Sequence, residues 1–380
     1  MSRKASKNTS FTASDHHAMR SALALARRGL GVAWPNPAVG CILVRQDLGD
    51  RIVGRGWTQP GGRPHAETEA LDRAGSLAQG ATAYVTLEPC DHEGETPPCT
   101  QALIAAGIVR AVMALEDPDP RVSGKGIKRL QEAGIDTATE LCGDEARYLN
   151  AGFIMRVTLG RPLFTLKTAT TLDGRVATAK GQSKWITGAL ARAFAHGLRA
   201  DHDAIMIGIG TALADEPALT CRLPGMEEKS PVRIIADSQL RLPPESSLAK
   251  TAKEIPTWVV TAPGPGKDKK KALEAQGIQV IEAETDDNGR PDLDWVAAEL
   301  GRRGLTRVVV ESGGKLAAAL VKRDLIDRLA WFRSPKLIGD DGRGAVAAFG
   351  IDGVAQAPAF VRDSISDAGQ DVLETYRRVT

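Results

Sequence analysis

Aromatic side chains are scarce in this chain of 380 residues: Phe, Trp and Tyr together make up 4% of it. Proteins that hold single-stranded nucleic acid rely on aromatic platforms set in a basic groove, and neither is prominent here. Net charge is only +2, with acids and bases spread along the chain. The dense basic run Lys267-Asp268-Lys269-Lys270-Lys271 reads as the start of a solvated helix. The sequence therefore points to a small-molecule substrate and away from nucleic acid. Cysteine is scarce too. There are five, and Cys41, Cys142 and Cys221, scattered and odd in number, suit unbridged thiols in a reducing cytoplasm better than a disulfide framework. No apolar run approaches the length of a membrane span. The first dozen residues are polar and basic without the apolar stretch of a secretory signal, so they read as a disordered tail. No internal repeat or low-complexity segment is evident. At this length, with 42% hydrophobic residues, each half can bury its own core.

What the chain does contain is His65-Ala66-Glu67, then Pro89-Cys90, then Cys99. One imidazole and two thiols can bind zinc and leave a position for water, while a nearby unligated carboxylate shuttles protons. Zinc lowers the pKa of such a water toward neutrality. Glu67 is then the candidate general acid/base, with His65, Cys90 and Cys99 as the metal ligands. The gap from Cys90 to Cys99 is longer than the usual C-x-x-C. A structural site is the competing reading, with His92 in that gap as a fourth ligand. A cysteine is also often no more than a small core residue.

Local patterns place these residues. Ala66 to Leu71 is rich in helix formers, which puts His65 at a helix N-terminus. A strand is expected from Ala81 to Leu87 with Cys90 capping it, and Cys99-Thr100 opens the next helix. Helix N-termini favour anionic thiolate. A helix is expected from Ser14 through Arg28, and strands over Val39–Val44, near Ile52 and over Val109–Ala114. Helices are expected over Gly126–Ala133 and residues 144–156. Such alternation predicts helices around a sheet. Gly160-Arg161-Pro162 reads as a boundary.

Beyond it the alternation restarts. Strands are expected at Leu163–Thr170, Ala204–Ile207, Val232–Ala236, Thr257–Val260, Gln279–Ile281, Arg307–Val310 and Leu329–Phe332. Helices are expected over 187–199, 268–276, 292–303 and 315–323. Gly208-Ile209-Gly210 follows a strand, but Leu213 stands where a dinucleotide fingerprint needs its third glycine. Gly264-Pro265-Gly266-Lys267 lacks the spacing and the Ser or Thr of a P-loop. Val308-Val309-Val310-Glu311-Ser312-Gly313-Gly314 is a strand running into glycines and a helix, a turn that lets backbone approach a phosphate. It is equally an ordinary strand-to-helix turn.

Taken together, Pro35-Asn36-Pro37-Ala38-Val39-Gly40, His65-Ala66-Glu67, Thr86-Leu87-Glu88-Pro89-Cys90 and Thr96-Pro97-Pro98-Cys99 closely resemble the bifunctional deaminase-reductases of riboflavin biosynthesis. The resemblance continues after residue 160. It implies an α/β protein: an N-terminal cytidine-deaminase-like three-layer α/β/α domain, then a dihydrofolate-reductase-like α/β domain. The expected division is a tail at 1–13, a zinc deaminase at 14–158 and an NADPH-dependent reductase at 162–380. Implied reactions are deamination of a phosphorylated diaminopyrimidine riboside and reduction of its ribosyl group to ribityl. By the same match Asn36 would bind the deaminase substrate. Ala169, Trp185, Thr211, Asp215, Ser238, Gly313 and Gly314 would contact NADPH. Ser183, Arg199, Leu219, Arg222 and Glu311 would hold the ribosyl phosphate, arginine suiting phosphate by charge and fork geometry, and Lys167 would bind substrate near the reacting sugar. A cytoplasmic homo-oligomer, dimer or tetramer, is implied as well.

Three positions depart from the family pattern. Thr58 stands where His is frequent, Glu95 where a basic residue is common, and Glu216 where Asp or Asn is usual. Two other functions stay in view: a deaminase of a free or RNA-borne base with a repurposed C-terminal half, and a zinc-stabilised binding module without turnover.

Overall fold

The computed structural model describes residues 11–93, 97–120, 122–264 and 266–379. The chain divides into two compact units, Met1–Leu159 and Gly160–Thr380. Glu95, one of the three departures, lies outside the described residues, as do residues 1–10 of the expected tail.

In the first unit, β1 (Gly40–Arg45), β2 (Arg51–Trp57), β3 (Thr82–Val85), β4 (Arg110–Met113) and β5 (Asp136–Ala138) form one sheet in the order β2-β1-β3-β4-β5. β1 is antiparallel to both neighbours, whereas β3, β4 and β5 run parallel. Ile42, Leu43, Tyr84, Val85, Leu103 and Met113 are buried between this sheet and its helices. α1 (Ala13–Ala26) begins one residue before the expected start because Thr12 and Asp15 form a capping box. The Asp15 N–H donates to Thr12 Oγ1 at 3.1 Å, and the Thr12 N–H donates to Asp15 Oδ2 at 2.8 Å. Thr12 and Ala13 therefore belong to the fold rather than to a tail. Asp15 also accepts from Tyr84 Oη and Arg110, each at 2.7 Å, which ties α1 to β3 and β4.

α2 (Ala66–Ala74) lies directly on β2. A Cβ on Gly56 would stand 2.0 Å from the Ala66 carbonyl oxygen, and one on Gly54 2.3 Å from that of Ala70. Two glycines thus bring the start of this helix onto the sheet. β3 is shorter than expected and Cys90 does not cap it. Thr86 turns to Gly40, donating its N–H and accepting Gly40's at Oγ1, both at 3.0 Å. Cys90 then lies in the loop before α3 (Cys99–Ala105). The stretch expected as one helix over 144–156 is two, Gly143–Leu149 and Ala151–Leu159, because Asn150 breaks it.

In the second unit, parallel strands β6 (Leu163–Thr170), β8 (Ala204–Gly208), β9 (Val232–Ala236), β10 (Thr257–Thr261), β11 (Gln279–Glu282), β12 (Arg307–Val310) and β13 (Arg328–Arg333) align as β11-β10-β9-β8-β12-β6-β13. Strands buried on both faces read as unbroken apolar runs, such as Ala204-Ile205-Met206-Ile207, which is why they are visible in sequence. β16 (Asp371–Arg378) and β15 (Phe360–Ala368) extend the sheet antiparallel at its edge. This hairpin is absent from the sequence expectation. β15 is exposed along most of its length, and its charged residues Arg362, Asp363 and Asp367 mask any core-facing stripe. A small pair, β7 (Arg175–Ala177) with β14 (Arg343–Gly344), completes the unit. Among the described residues, no helix is long and apolar enough to cross a membrane.

Candidate active sites

His65 is the N-cap residue of α2, and Glu67 lies in that helix's first turn with 4% exposure. Cys99 opens α3 and is buried. The His65 Nδ1 lies 3.2 Å from the Cys99 sulfur and 3.6 Å from that of Cys90. The Cys99 backbone N–H donates to the Cys90 sulfur at 3.4 Å. Zinc bonds of about 2.0 Å to nitrogen and 2.3 Å to sulfur, arranged as a tetrahedron, need N···S edges of roughly 3.6 Å. The three ligand atoms, all within 4.8 Å of one another, converge at spacings close to those zinc requires. His92 is exposed and outside this cluster, so the described geometry provides three ligands and not four.

Electrostatics agree with a cation site. A hydrogen bond from Cys99 draws the Cys90 thiol down to about 4 against its burial, helped by His65. Cys99, as donor to that thiolate and buried, is pushed well up. The bond to Cys90 raises His65. Burial, then the Cys90 charge, lifts Glu67 to about 7. These groups share protons where a dication would replace them.

Two buried residues of this unit, Asn150 and Asp117, escaped the sequence reading. Asn150 is 2% exposed; its amide donates to the Ala38 carbonyl and accepts the Ala38 N–H, both at 3.0 Å. This pairing fixes the chain just after Asn36. Asn36 itself is half-buried and donates to the Gly62 carbonyl at 3.1 Å, so it bridges the Pro35–Ala38 loop and the turn leading to His65. Asp117, lifted to about 6 by burial and the charges of Asp119 and Glu88, is buried beside Asp119. The run Asp117-Pro118-Asp119-Pro120, two carboxylates set between prolines, was the available signal. Thr58 is buried and accepts the Val39 N–H at 2.9 Å, so its hydroxyl serves the backbone.

In the second unit, three sequence candidates meet. Lys167 on β6 donates to Glu311 Oε2 at 3.3 Å. Arg199, from the helix Ala189–Ala200, forks onto Glu311 with Nε–Oε1 at 2.7 Å and a second bond to Oε2 at 3.0 Å. Burial pushes Glu311 up, but Lys167 and Arg199 outweigh it and hold the carboxyl at about 2. Arg199 also donates to the Thr220 carbonyl at 3.0 Å, next to the candidates Leu219 and Arg222. The Arg222 N–H donates to His196 Nδ1 at 3.3 Å, and its side chain is exposed. Leu219 has φ +58° and a buried side chain, which leaves only its backbone for a ligand.

The remaining candidates gather more loosely. Thr211, in the helix after β8, approaches Gly313, whose Cβ would lie 3.9 Å from Thr211 Oγ1. Gly314 is pressed by Ala347 and Gly344, with 3.0 Å left to the Ala347 nitrogen. Ser238 follows β9 and Glu311 follows β12, so Thr211, Ser238, Gly313 and Gly314 all lie beyond the carboxyl ends of parallel strands, where ligands of open α/β sheets bind. Ala169 packs against the buried cluster of Ala191, Ala195, Phe332 and Ala368. Trp185 is 67% exposed, its ring under Arg192 at 4.5 Å, and Lys336 holds the carbonyls of Trp185 and Ile186. Ser183 and Asp215 are exposed, and no contact in the described structure joins them to the others. Glu216 occupies a left-handed position at the helix end, φ +42°, where Asn or Asp is better tolerated.

Comparison with known proteins gives matches to both halves. Residues 12–115 match the family profile "Cytidine and deoxycytidylate deaminase zinc-binding region", and residues 162–373 match "RibD C-terminal domain". The chain is 42% identical over 369 residues to the riboflavin biosynthesis protein RibD of Escherichia coli, covering 94% of this chain and 98% of that protein. The RibD of Bacillus amyloliquefaciens is also 42% identical, over 362 residues and 95% of each chain. Among solved structures, Acinetobacter baumannii RibD superposes with a TM-score of 0.86 at 36% identity, over 97% of this chain and 99% of that one. A diaminohydroxyphosphoribosylaminopyrimidine deaminase/5-amino-6-(5-phosphoribosylamino)uracil reductase from Thermotoga maritima gives 0.83 at 32% identity, over 96% and 99%.

Proposed function

The chain belongs to the RibD family of riboflavin biosynthesis, and on that premise we propose which of its residues carry each of the two reactions. It is a bifunctional enzyme, a zinc deaminase joined to a reductase of the NADPH-dependent type. The reductase match across residues 162–373 argues against a repurposed C-terminal half. We assign deamination to residues 14–158 and reduction to residues 162–380. The substrate is the phosphoribosylated diaminopyrimidine named by the Thermotoga relative.

In the deaminase, His65, Cys90 and Cys99 hold zinc. Bound there, zinc supplies a water acidified toward neutrality. Glu67, buried beside the ligands, accepts one proton from the attacking water and passes it to the ring nitrogen, then takes the second from the newly bonded hydroxyl and passes it to the departing amine. The ring gains a carbonyl and ammonia leaves. Asn36, bridging two loops next to the site, orients the ring.

In the reductase, bound NADPH supplies the hydride. Lys167, paired with Glu311, faces the opened ribosyl carbon and stabilises the oxygen or nitrogen that gains electrons there. Arg199 is committed to Glu311 by two bonds and fixes that carboxylate. Arg222, exposed, and Ser183 take the phosphate, with the Leu219 backbone. Ala169, Trp185, Thr211, Asp215, Ser238, Gly313 and Gly314 line the dinucleotide. The enzyme works in the cytoplasm, which suits the unbridged thiols of Cys41, Cys142 and Cys221. It assembles as a homo-oligomer through the edge strand β15, whose Val361 and Ile365 are exposed; light scattering that finds only monomer would overturn this.

The convergence of His65, Cys90 and Cys99 beside buried Glu67 carries the reading. It is tested by separating the activities: Glu67→Ala abolishes deamination and keeps reduction, and Lys167→Ala does the reverse. Loss of both activities in either variant contradicts two independent sites.

A further inference from the structure

Glu88 is two residues from the ligand Cys90, and its carboxylate is bound by a different segment of the chain. Oε2 accepts the N–H groups of Asp117 at 3.1 Å and Gly124 at 3.0 Å. Oε1 accepts those of Gly126 at 2.8 Å and Ile127 at 3.2 Å. Four donors fill the acceptor capacity of one ionised carboxylate, and the side chain is 4% exposed. The Glu88 N–H donates to the Leu115 carbonyl at 2.9 Å. Immediately beyond, the Pro89 carbonyl oxygen seats against Gly126, where a Cβ would lie 2.1 Å away. The main chain that delivers Cys90 is thus fixed from the side of the Asp117–Ile127 segment, while Cys99 is delivered by α3.

We propose that Glu88 is a positioning residue for the metal centre: its carboxylate latches the Pro89-Cys90 ligand loop to the Asp117–Ile127 segment and thereby sets zinc affinity. The proposal rests on the reading of His65, Cys90 and Cys99 as zinc ligands. A glutamine at this position turns an amide donor toward backbone N–H groups that need an acceptor. An alanine at position 126 leaves the carboxylate intact but pushes the Pro89 carbonyl away. Both changes displace Cys90 without touching a ligand. Partners that orient metal ligands from outside are worth about 10- to 100-fold in affinity or activity, and the latch falls in that range.

The test is a zinc titration of the full chain against a chromogenic chelator, below the melting temperature, for Glu88→Gln, Gly126→Ala and Cys90→Ser. NADPH-dependent reduction serves as the internal control for folding. Zinc affinity about 10- to 100-fold weaker in both Glu88→Gln and Gly126→Ala, with reduction intact, is the expected result. A lower melting temperature with unchanged zinc affinity would reduce Glu88 to a structural role and overturn the proposal. Tight zinc binding by Cys90→Ser would instead overturn the ligand assignment beneath it. If Glu88→Gln does not yield a folded deaminase unit, the milder Glu88→Asp decides: it keeps the charge but is one methylene too short to serve both pairs of donors, so unchanged affinity refutes the latch.

Discussion

Replacing Glu311 by glutamine isolates the charge at the centre of the reductase site while keeping the shape of the side chain. Glu311 is held between Lys167 at 3.3 Å and Arg199 at 2.7 Å. These cations draw its carboxyl from 4.5 to about 2 in spite of burial. A difference of roughly 2.5 pKa units corresponds to about 3 kcal/mol of stability at neutral pH. The sign follows from the depressed value: the contribution is complete above the unfolded pKa near 4.5 and is lost as pH falls toward 2. Glu311→Gln is therefore expected to destabilise the reductase unit by about 3 kcal/mol at pH 7, shrinking to about 1 kcal/mol near pH 3. Urea unfolding of the full chain, followed by tryptophan fluorescence at several pH values, measures this. Reduction should be lost at pH 7 while deamination continues. A penalty independent of pH, or a variant as stable as the parent at pH 7, would refute the account of this ion triad.

Other expectations follow the same logic. Asn150→Ala orphans the buried N–H and carbonyl of Ala38, at about 1–3 kcal/mol each; the deaminase unit should melt earlier and its substrate KM rise, and unchanged values would contradict the role of Asn150. Arg233, 1% exposed, donates to Thr251, Thr257 and the carbonyls of Leu248 and Ile255. Arg233→Met removes these buried donors, leaving the Ile255 carbonyl only its bond from Thr257, and should cost about 3–5 kcal/mol in denaturant unfolding; Arg233→Lys, with fewer donors, should rescue only part. Dialysis against a chelator should abolish deamination and spare NADPH-dependent reduction, with zinc restoring the former; reduction lost along with zinc would contradict separate centres.

The two sites were legible in the sequence to different degrees. His65 and Glu67 share one helix start, and Cys90 and Cys99 follow strand and helix signals of their own, so residue types and spacing bring the metal chemistry forward. The interior parallel strands announce themselves as apolar runs such as Val308-Val309-Val310. The Lys167–Glu311 and Arg199–Glu311 pairs span 144 and 112 residues; the first meets because β6 lies beside β12 in the sheet, the second because the helix Ala189–Ala200 brings Arg199 to the same carboxylate. No local pattern encodes that adjacency, and those residues came forward through family resemblance. Asn150 was hidden for a similar reason, since its partner Ala38 is 112 residues away. The β15–β16 hairpin escaped because an exposed edge strand carries charge where an interior strand carries valine. The capping box at Thr12 was readable, but its acid is Asp15 rather than the usual Glu or Gln.

The central claim is that one chain carries out two consecutive reactions at two separate centres. It is tested most directly by mass spectrometry of products from zinc-loaded protein given the diaminopyrimidine ribosyl phosphate, with and without NADPH. The account predicts deaminated product alone without NADPH, and the deaminated and reduced ribityl product with it. Deaminated product that never gains two hydrogens in the presence of NADPH, or substrate left unchanged by the zinc-loaded protein, would contradict it.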